Sequence, residues 1–198
     1  MLRAPDLAAA TMTSFDRPSH GPTTPSSWVA RFAPLIKAQG TVLDLACGDG
    51  RHTRFLRQCG LQVVAADVDT SGLADLANDP YVEVFEADLE LGDWPFVHRK
   101  FDGVVITNYI HRPHFPYLRQ ALAPGGFLII ETFGSGNETF GRPRNPDFLL
   151  QPGELLQAFC EVFTVVAYEH GYEASPRPAV RQRICAAMTA EPVALHST

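Results

Sequence analysis

The 198-residue chain is poor in the features that mark several familiar protein classes. Of its four cysteines, Cys47, Cys59, Cys160 and Cys185, no two are spaced as a zinc-ligand pair or as the framework of a small secreted domain. The sequence therefore predicts buried, reduced thiols and no metal, as is ordinary in a cytoplasmic protein. No apolar run approaches the roughly 20 residues of a membrane-spanning helix. The opening "MLRAPDLAAATMTSF" lacks the apolar stretch of an export signal. Basic residues are also in deficit, with 16 Lys and Arg against 22 Asp and Glu, a net charge of −6. That balance argues against a broad nucleic-acid surface, which draws on Lys and Arg to neutralise phosphates. With 45% hydrophobic and 19% charged residues, the composition is that of a globular protein able to bury one sizeable core. The expected partner is a small molecule, neither nucleic acid nor membrane.

Residues 1–25 are rich in Pro, Ser and Thr and predict a mobile arm. Residues 26–190 predict one domain, and 191–198 a tail. "SSWVARFAPLIKAQG" predicts a helix capped by Ser26 or Ser27, with Trp28, Val29, Phe32, Leu35 and Ile36 on one face and a break at Pro34. Strand and helix then alternate. "TVLDLA" is a strand, "RHTRFLRQCG" a helix closed by Gly60, "LQVVAAD" a strand and "SGLADLAND" a short helix. The strands "VEVFEAD" and "FDGVVIT" follow, then the helix "FPYLRQALAPGG" and the strand "FLIIET". Such alternation, with continuously apolar strands, predicts an α/β protein whose parallel sheet is covered on both faces. Beyond it lie an irregular stretch, "FGSGNETFGRPRNPDFLL", and the helix "PGELLQAFC" with Pro152 near its first position. The strands "FTVVAYEHGY" and "VRQRICAAM" close the series.

"VLDLACGDGRHT" places Gly48 and Gly50 between a strand and a helix, where backbone can pass close to a ligand. A tight turn with no ligand reads the same way, so charge has to separate the options. A dinucleotide fingerprint, G-x-G-x-x-G, presents a helix N-terminus to a pyrophosphate. Here Thr53 holds the third glycine position, and Asp44 and Asp49 would repel a pyrophosphate by on the order of a few kcal/mol. A ligand carrying an ammonium and a sulfonium would be attracted, which describes S-adenosylmethionine. Asp67, ending "VVAAD", is placed to take both ribose hydroxyls. Asp88, ending "FEAD", is placed to accept from the adenine amino group while the Leu89 amide faces the ring. Either acid alone is also an ordinary turn or cap residue; their conjunction with the glycine loop favours the ligand.

"LDLACGDG", "VVAADVD", "EADLE" and "LAPGGFLIIE" resemble the motifs of the class I S-adenosylmethionine-dependent methyltransferases, over about residues 40 to 132. Within that family, "NPDFLLQPGELL" and the small size are most similar to the tellurite-resistance-type branch, by a shorter match. The resemblance implies a doubly wound, mostly parallel seven-stranded sheet with an antiparallel last strand, the Rossmann-like methyltransferase fold. It implies that Asp44, Gly48 and Gly50 bind the amino-acid end of the cofactor, Asp67 the ribose, and Asp88 with Leu89 the adenine. Ala46, Val68 and Asn108 fall in the same implied site.

In an open parallel sheet, ligands sit beyond the carboxyl ends of the strands. "NYIHRPHF" and "TFGSGNETFGRPRNPDFLL" follow the fourth and fifth strands and so overhang that site. DNA amino-methyltransferases carry an acid or Asn, then Pro-Pro and an aromatic, where this chain has Asn108, Tyr109, Ile110 and His111. That departure disfavours methylation of nucleic-acid bases. His111 reads either as a general base, its ordinary pKa lying near neutrality, or as a structural histidine. Arg112 reads as a clamp for an anionic substrate or as the partner of a surface acid. Tyr109, Glu131, Asn137 and Phe140 are the candidate acceptor contacts, each with a local structural alternative. The stretch from Phe133 to Leu150 predicts a mobile lid, with Phe140 and Phe148 shielding the methyl group. The function expected is methyl transfer from S-adenosylmethionine to a small molecule by in-line displacement. A cofactor-binding regulatory module and a nucleotide-cofactor oxidoreductase are the alternatives.

Overall fold

A computed structural model describes residues 24–194; most of the expected N-terminal arm and the end of the tail lie outside them. The first helix, α1 (Ser27–Phe32), is capped by Ser26, whose Oγ accepts from the amides of Trp28 (3.1 Å) and Val29 (3.4 Å). Pro34 cannot donate to an α-helical ladder, and the chain continues as a 3-10 turn, Ala33–Leu35. The remaining elements are β1 (Thr41–Leu45), α2 (Arg51–Gln58), β2 (Gln62–Asp67), β3 (Val82–Glu86), β4 (Phe101–Thr107), α3 (Phe115–Ala121), β5 (Leu122–Phe133), α4 (Glu154–Phe159), β6 (Thr164–Glu173) and β7 (Ala179–Ala187). The strands form one seven-stranded sheet in the order β3-β2-β1-β4-β5-β7-β6. Pairing is parallel from β3 through β5, and β7 runs antiparallel to both its neighbours.

Two-residue alternation divides the strands between two cores. Leu43, Leu45, Val104, Ile106, Leu128, Ile130, Ile184 and Ala186 pack on the face covered by Leu118 of α3 and Leu155 and Phe159 of α4. Val42, Val63, Val105, Ile129, Cys185 and Ala187 pack on the other, against Trp28, Val29 and Phe32 of α1 and Leu56 of α2. This explains the continuous apolar runs: with helices on both sides, neither face of these strands meets water. Asp44 and Thr107 have the parity of the α1/α2 face, which fixes whom they meet.

Several expectations need correction. "SGLADLAND" forms a 3-10 turn, Ser71–Leu76, and not an α-helix; the Asn-Asp-Pro that follows leaves no length for a second turn. β3 stops at Glu86, two residues before Asp88. β5 begins at Leu122 directly after α3, five residues earlier than the apolar run suggests. Its pairing with β4 shifts between Phe101 and Gly103, which absorbs the extra residues in a bulge. Only glycine fits at Gly126, where a Cβ would stand 3.0 Å from the Phe101 carbonyl oxygen. α4 is capped by Gly153, at φ 79°, so Pro152 precedes the helix and does not open it. Of the thiols, Cys47 and Cys185 are buried, but Cys59 and Cys160 are exposed where α2 and α4 end.

Candidate functional site

The carboxyl edge of the parallel strands carries the glycine loop, residues 46–50. Ala46 (φ 55°), Gly48 (φ 57°) and Gly50 (φ 75°) all take left-handed backbone, costly for Ala46 and free for the glycines. Gly50 also lies against Leu73, whose Cδ2 would be 2.2 Å from an added Cβ. The loop is held from the next strand: the Asp67 carboxylate accepts from the Gly48 amide (2.8 Å) and from the Asp69 amide (3.1 Å). Asp67 is buried and Val68 beside it is exposed. Asp67 thus shapes the loop as well as standing beside it.

Asp44, in β1 beneath the loop, is 1% exposed. Its Oδ2 accepts from the Thr53 hydroxyl at 2.6 Å. Burial pushes its carboxyl up to about 6, only partly offset by the Thr53 hydrogen bonds and the charge of Arg51. Among the described residues no Lys, Arg or His lies within ion-pair distance of it. A buried acid without a counter-cation is the most unusual electrostatic feature of the loop.

His52, which the sequence reading passed over, is also 1% exposed. Its Nε2 accepts from the Ser26 amide (3.0 Å), so the proton sits on Nδ1, 3.2 Å from the Thr107 hydroxyl. Burial, aided by Arg51, pushes this imidazole down to about 3, and it is neutral near pH 7. His52 ties the start of α1 and the glycine-loop helix to the end of β4. Its partners are 26 and 55 residues away. The only local signal was a histidine at the buried first turn of α2.

At the adenine end of the expected site, Leu89 is buried. Asp88 is exposed and accepts from the amides of Glu90 (2.9 Å) and Leu91 (3.2 Å), closing its own turn. Tyr109, expected at the acceptor, lines a recess with His111 and His114, its ring centre 6.4 Å from that of His114. Its hydroxyl is buried with no partner, and burial together with Glu90, Asp88 and Asp67 raises its phenol above the usual range.

Asn108 directly follows β4, at φ 54°. Its amide donates to the Glu131 carbonyl (2.9 Å) and its Oδ1 accepts from Arg181 (2.9 Å). His111 is half-buried and meets His114 edge-on, 4.5 Å between ring centres. Burial and His111 push His114 down to about 4. The apolar recess between them, bounded by Leu45, Ile106, Ile110 and Tyr109, is about 10 Å³, room for one water at most. An acceptor beside His111 must therefore approach from outside the recess.

Arg112 occupies its donors on protein groups. It pairs with both Glu154 oxygens (2.6 and 3.0 Å) and donates to the carbonyls of Leu149 (2.9 Å) and Asp147 (2.5 Å). Of its two readings, the ion pair with an acid is the one present. Glu131 is likewise engaged, with Arg183 at 2.6 Å and Arg181 at 3.9 Å. Arg183 also reaches Glu169 and Glu173, and Arg181 reaches Glu173 and lies 4.6 Å over the Phe133 ring. Sequence reasoning missed both arginines. Their alternation in "VRQRI", opposite Glu131 across the sheet, was the available sign.

The loop after β5 is more tied than a structureless lid. Gly134 bridges Leu150, and the Ser135 and Leu150 amides donate to the carbonyls of Leu150 and Phe133. Asn137 is buried; its Oδ1 accepts from the Val180 amide (3.2 Å) and its Nδ2 donates to the Pro143 carbonyl (3.4 Å). Phe140 is 46% exposed and packs on Tyr172, with ring centres 4.9 Å apart.

No helix among the described residues is long and apolar enough to cross a membrane, and no group of three or more His, Cys, Asp or Glu among them is placed to hold a metal ion. No curated protein matches the chain in sequence. Among solved structures the fold is similar to that of TehB from Haemophilus influenzae, with TM-score 0.67 and 17% identity over 81% of this chain. The match spans 61% of that protein's length. It is similar also to the 1,6-didemethyltoxoflavin-N1-methyltransferase of Burkholderia thailandensis, solved with 1,6-didemethyltoxoflavin and S-adenosylhomocysteine (TM-score 0.61, 22% identity, 81% of this chain and 76% of that one). A third is the N-methyltransferase NodS of Bradyrhizobium japonicum, solved with S-adenosylhomocysteine (TM-score 0.62, 15% identity, 81% and 83%). At these identities the likeness is one of fold. Residues 18–170 match the methyltransferase-domain family, more than half of the chain, and the protein belongs to that family.

Proposed function

We propose that the protein transfers a methyl group from S-adenosylmethionine to a small-molecule acceptor, within a single domain of about residues 26–190. The observation that carries this reading is Asp44: a buried carboxylate at the glycine loop, with no cationic partner among the described residues. The ammonium of the cofactor is the complementary group, and pairing with it would hold Asp44 ionised. Asp67 would accept from ribose hydroxyls while keeping the loop in shape, Val68 and Leu89 would supply apolar surface near the adenine, and Tyr109 would line the acceptor side with His111. Asp88 can accept from the adenine amino group with the lone pairs its turn leaves over. Ala46, Gly48 and Gly50 give the backbone close approach, and Asn108 borders the site from β4.

When bound, the cofactor supplies a methyl group activated for in-line displacement by its sulfonium. The protein's share is then to align the acceptor, exclude water and manage one proton. His111 is the residue on the acceptor side able to take a proton at an imidazole nitrogen. Arg112, Asn137 and Glu131 act on the acceptor indirectly, by fixing the segments after β4 and β5, and Phe140 stands at the rim.

Calorimetry with S-adenosylhomocysteine, followed by a donor-dependent methylation screen over metabolite pools with product masses recorded, tests the reading. Binding together with a product heavier by one methyl group is expected. Absence of both defeats the proposal. With the acceptor in hand, His111→Ala should lower kcat by about 10²–10⁴ with cofactor affinity barely moved. If His111→Asn restores turnover, the histidine orients the acceptor and does not take its proton.

A further inference from the structure

The loop after β5 frames an open cleft of about 190 Å³ lined by Arg142, Pro143, Arg144, Asn145 and Phe148. Its two guanidinium groups stand out against a chain of net charge −6. Neither has an acid within ion-pair distance among the described residues, a lack they share with Arg51, Arg119 and Arg177 but not with Arg54, Arg57, Arg99, Arg112, Arg181 and Arg183; only Arg142 and Arg144 stand together on one cleft wall. The Asn145 Oδ1 is taken by the Asp147 amide (3.0 Å), which leaves its NH₂ as the donating end. The wall is thus donor-rich, with one aromatic ring and one proline for an apolar body. On the measure that gives the recess beside His111 room for one water at about 10 Å³, the about 190 Å³ here takes on the order of ten waters. That is below the roughly 300 Å³ at which drug-sized sites begin, and suits one end of a molecule.

The cleft is also held in place from three directions. The Gly134–Leu150 bridge closes the base of the loop, Asn137 fastens one arm to β7 and to Pro143, and Arg112 fastens the other through Asp147 and Leu149. Those anchors set the cleft beside the segment after β4, on the edge of the sheet where the acceptor must approach.

We propose that this cleft binds the oxyanion head, carboxylate or phosphate, of an acceptor with a compact apolar body, so that the acceptor is an organic anion. Planar guanidinium pairs bind such heads by two-point hydrogen bonding. The proposal rests on the methyl-transfer reading, and the test separates the two. Benzoate, phenyl phosphate and the neutral benzamide are titrated into the full chain, with and without S-adenosylhomocysteine, following the arginine side-chain NMR signals. Expected is saturable binding of at least one anion, at least tenfold tighter than benzamide, and its loss in Arg142→Gln/Arg144→Gln. Both side chains are exposed, so the variant should keep its melting temperature. The arm that binds, benzoate or phenyl phosphate, names the head group. Equal binding of anion and benzamide, equal binding to wild type and the double variant, or no anion binding at all overturns the proposal. Failure of S-adenosylhomocysteine to bind overturns the methyl-transfer reading instead.

Discussion

Replacing Asp44 by Asn should make the ligand-free protein more stable and bind its cofactor less well. Asn keeps an oxygen for the Thr53 hydroxyl that now sits 2.6 Å from Oδ2, but it carries no charge. Burial raises the Asp44 carboxyl from its usual 3.8 to about 6. At about 1.36 kcal/mol per tenfold change in proton affinity, that displacement is worth about 3 kcal/mol. The sign follows from proton counting. Between 3.8 and about 6 the folded protein binds more protons here than the unfolded chain, so this residue's contribution is present below 3.8 and lost as pH rises through about 6. Asn does not titrate. The stability difference, variant minus wild type, should therefore grow by about 3 kcal/mol between pH 3 and pH 7.5. At roughly 2–4 °C per kcal/mol for a chain of this size, that is about 6–12 °C in Tm. Urea unfolding of both proteins at five pH values measures it, and comparing the pH dependence removes any constant effect of the substitution. The cofactor arm has the opposite sign: losing a charge-assisted bond of about 1.5–3 kcal/mol should weaken S-adenosylhomocysteine by roughly ten- to more than a hundredfold. A stability difference that stays flat with pH, or unchanged affinity in the variant, would refute the reasoning.

Three further outcomes are expected. Asp67→Ala should weaken S-adenosylhomocysteine at least tenfold by calorimetry, since it removes a charged acceptor from the site and releases the Gly48 amide; a folded variant with wild-type affinity takes Asp67 out of the cofactor site. His52→Leu strands the buried Ser26 amide, at about 1–3 kcal/mol, and should lower Tm by roughly 2–12 °C. Because burial pushes His52 from 6.5 to about 3, its contribution is full above 6.5 and lost as pH falls towards 3, so the variant should also lose less stability on acidification. Arg112→Ala should speed hydrogen exchange at residues 147–150 while leaving cofactor affinity within about twofold; unchanged exchange would mean that the Glu154 pair does not hold the loop.

The sheet and most helices were legible because apolar runs bounded by turn residues carry their own period. Asp44 and Asp67 stood out for the converse reason, since an acid inside an apolar strand needs a partner or a task, and both are buried at the glycine loop. What could not be read depended on distance along the chain. Arg112 meets Glu154 42 residues on, and Arg181 meets Asn108 73 residues back. From sequence each was simply a polar residue with several possible roles. Tyr109 was expected at the acceptor because it follows β4; that its hydroxyl would be buried without a partner could not be read from the sequence. The early start of β5 was hidden because a bulge at Phe101–Gly103, and not hydrophobicity, sets it.

The position of β7 has a consequence for how the protein is made. The parallel part of the sheet, β1 to β5, is complete once Phe133 has been synthesised, but β7 lies between β5 and β6 and is the last of the seven strands to emerge. Until then the β5 edge, with Ile129 and Ile130, has no neighbour, and β6 has nothing to join. At about 5–20 residues per second, the 54 residues from Phe133 to Ala187 keep that edge open for several seconds on the ribosome. An uncovered apolar strand edge is a template for pairing between chains. The yield of native protein is therefore expected to respond to translation speed and temperature while residues 134–187 are being made, and a slowed stretch there should raise the aggregated fraction.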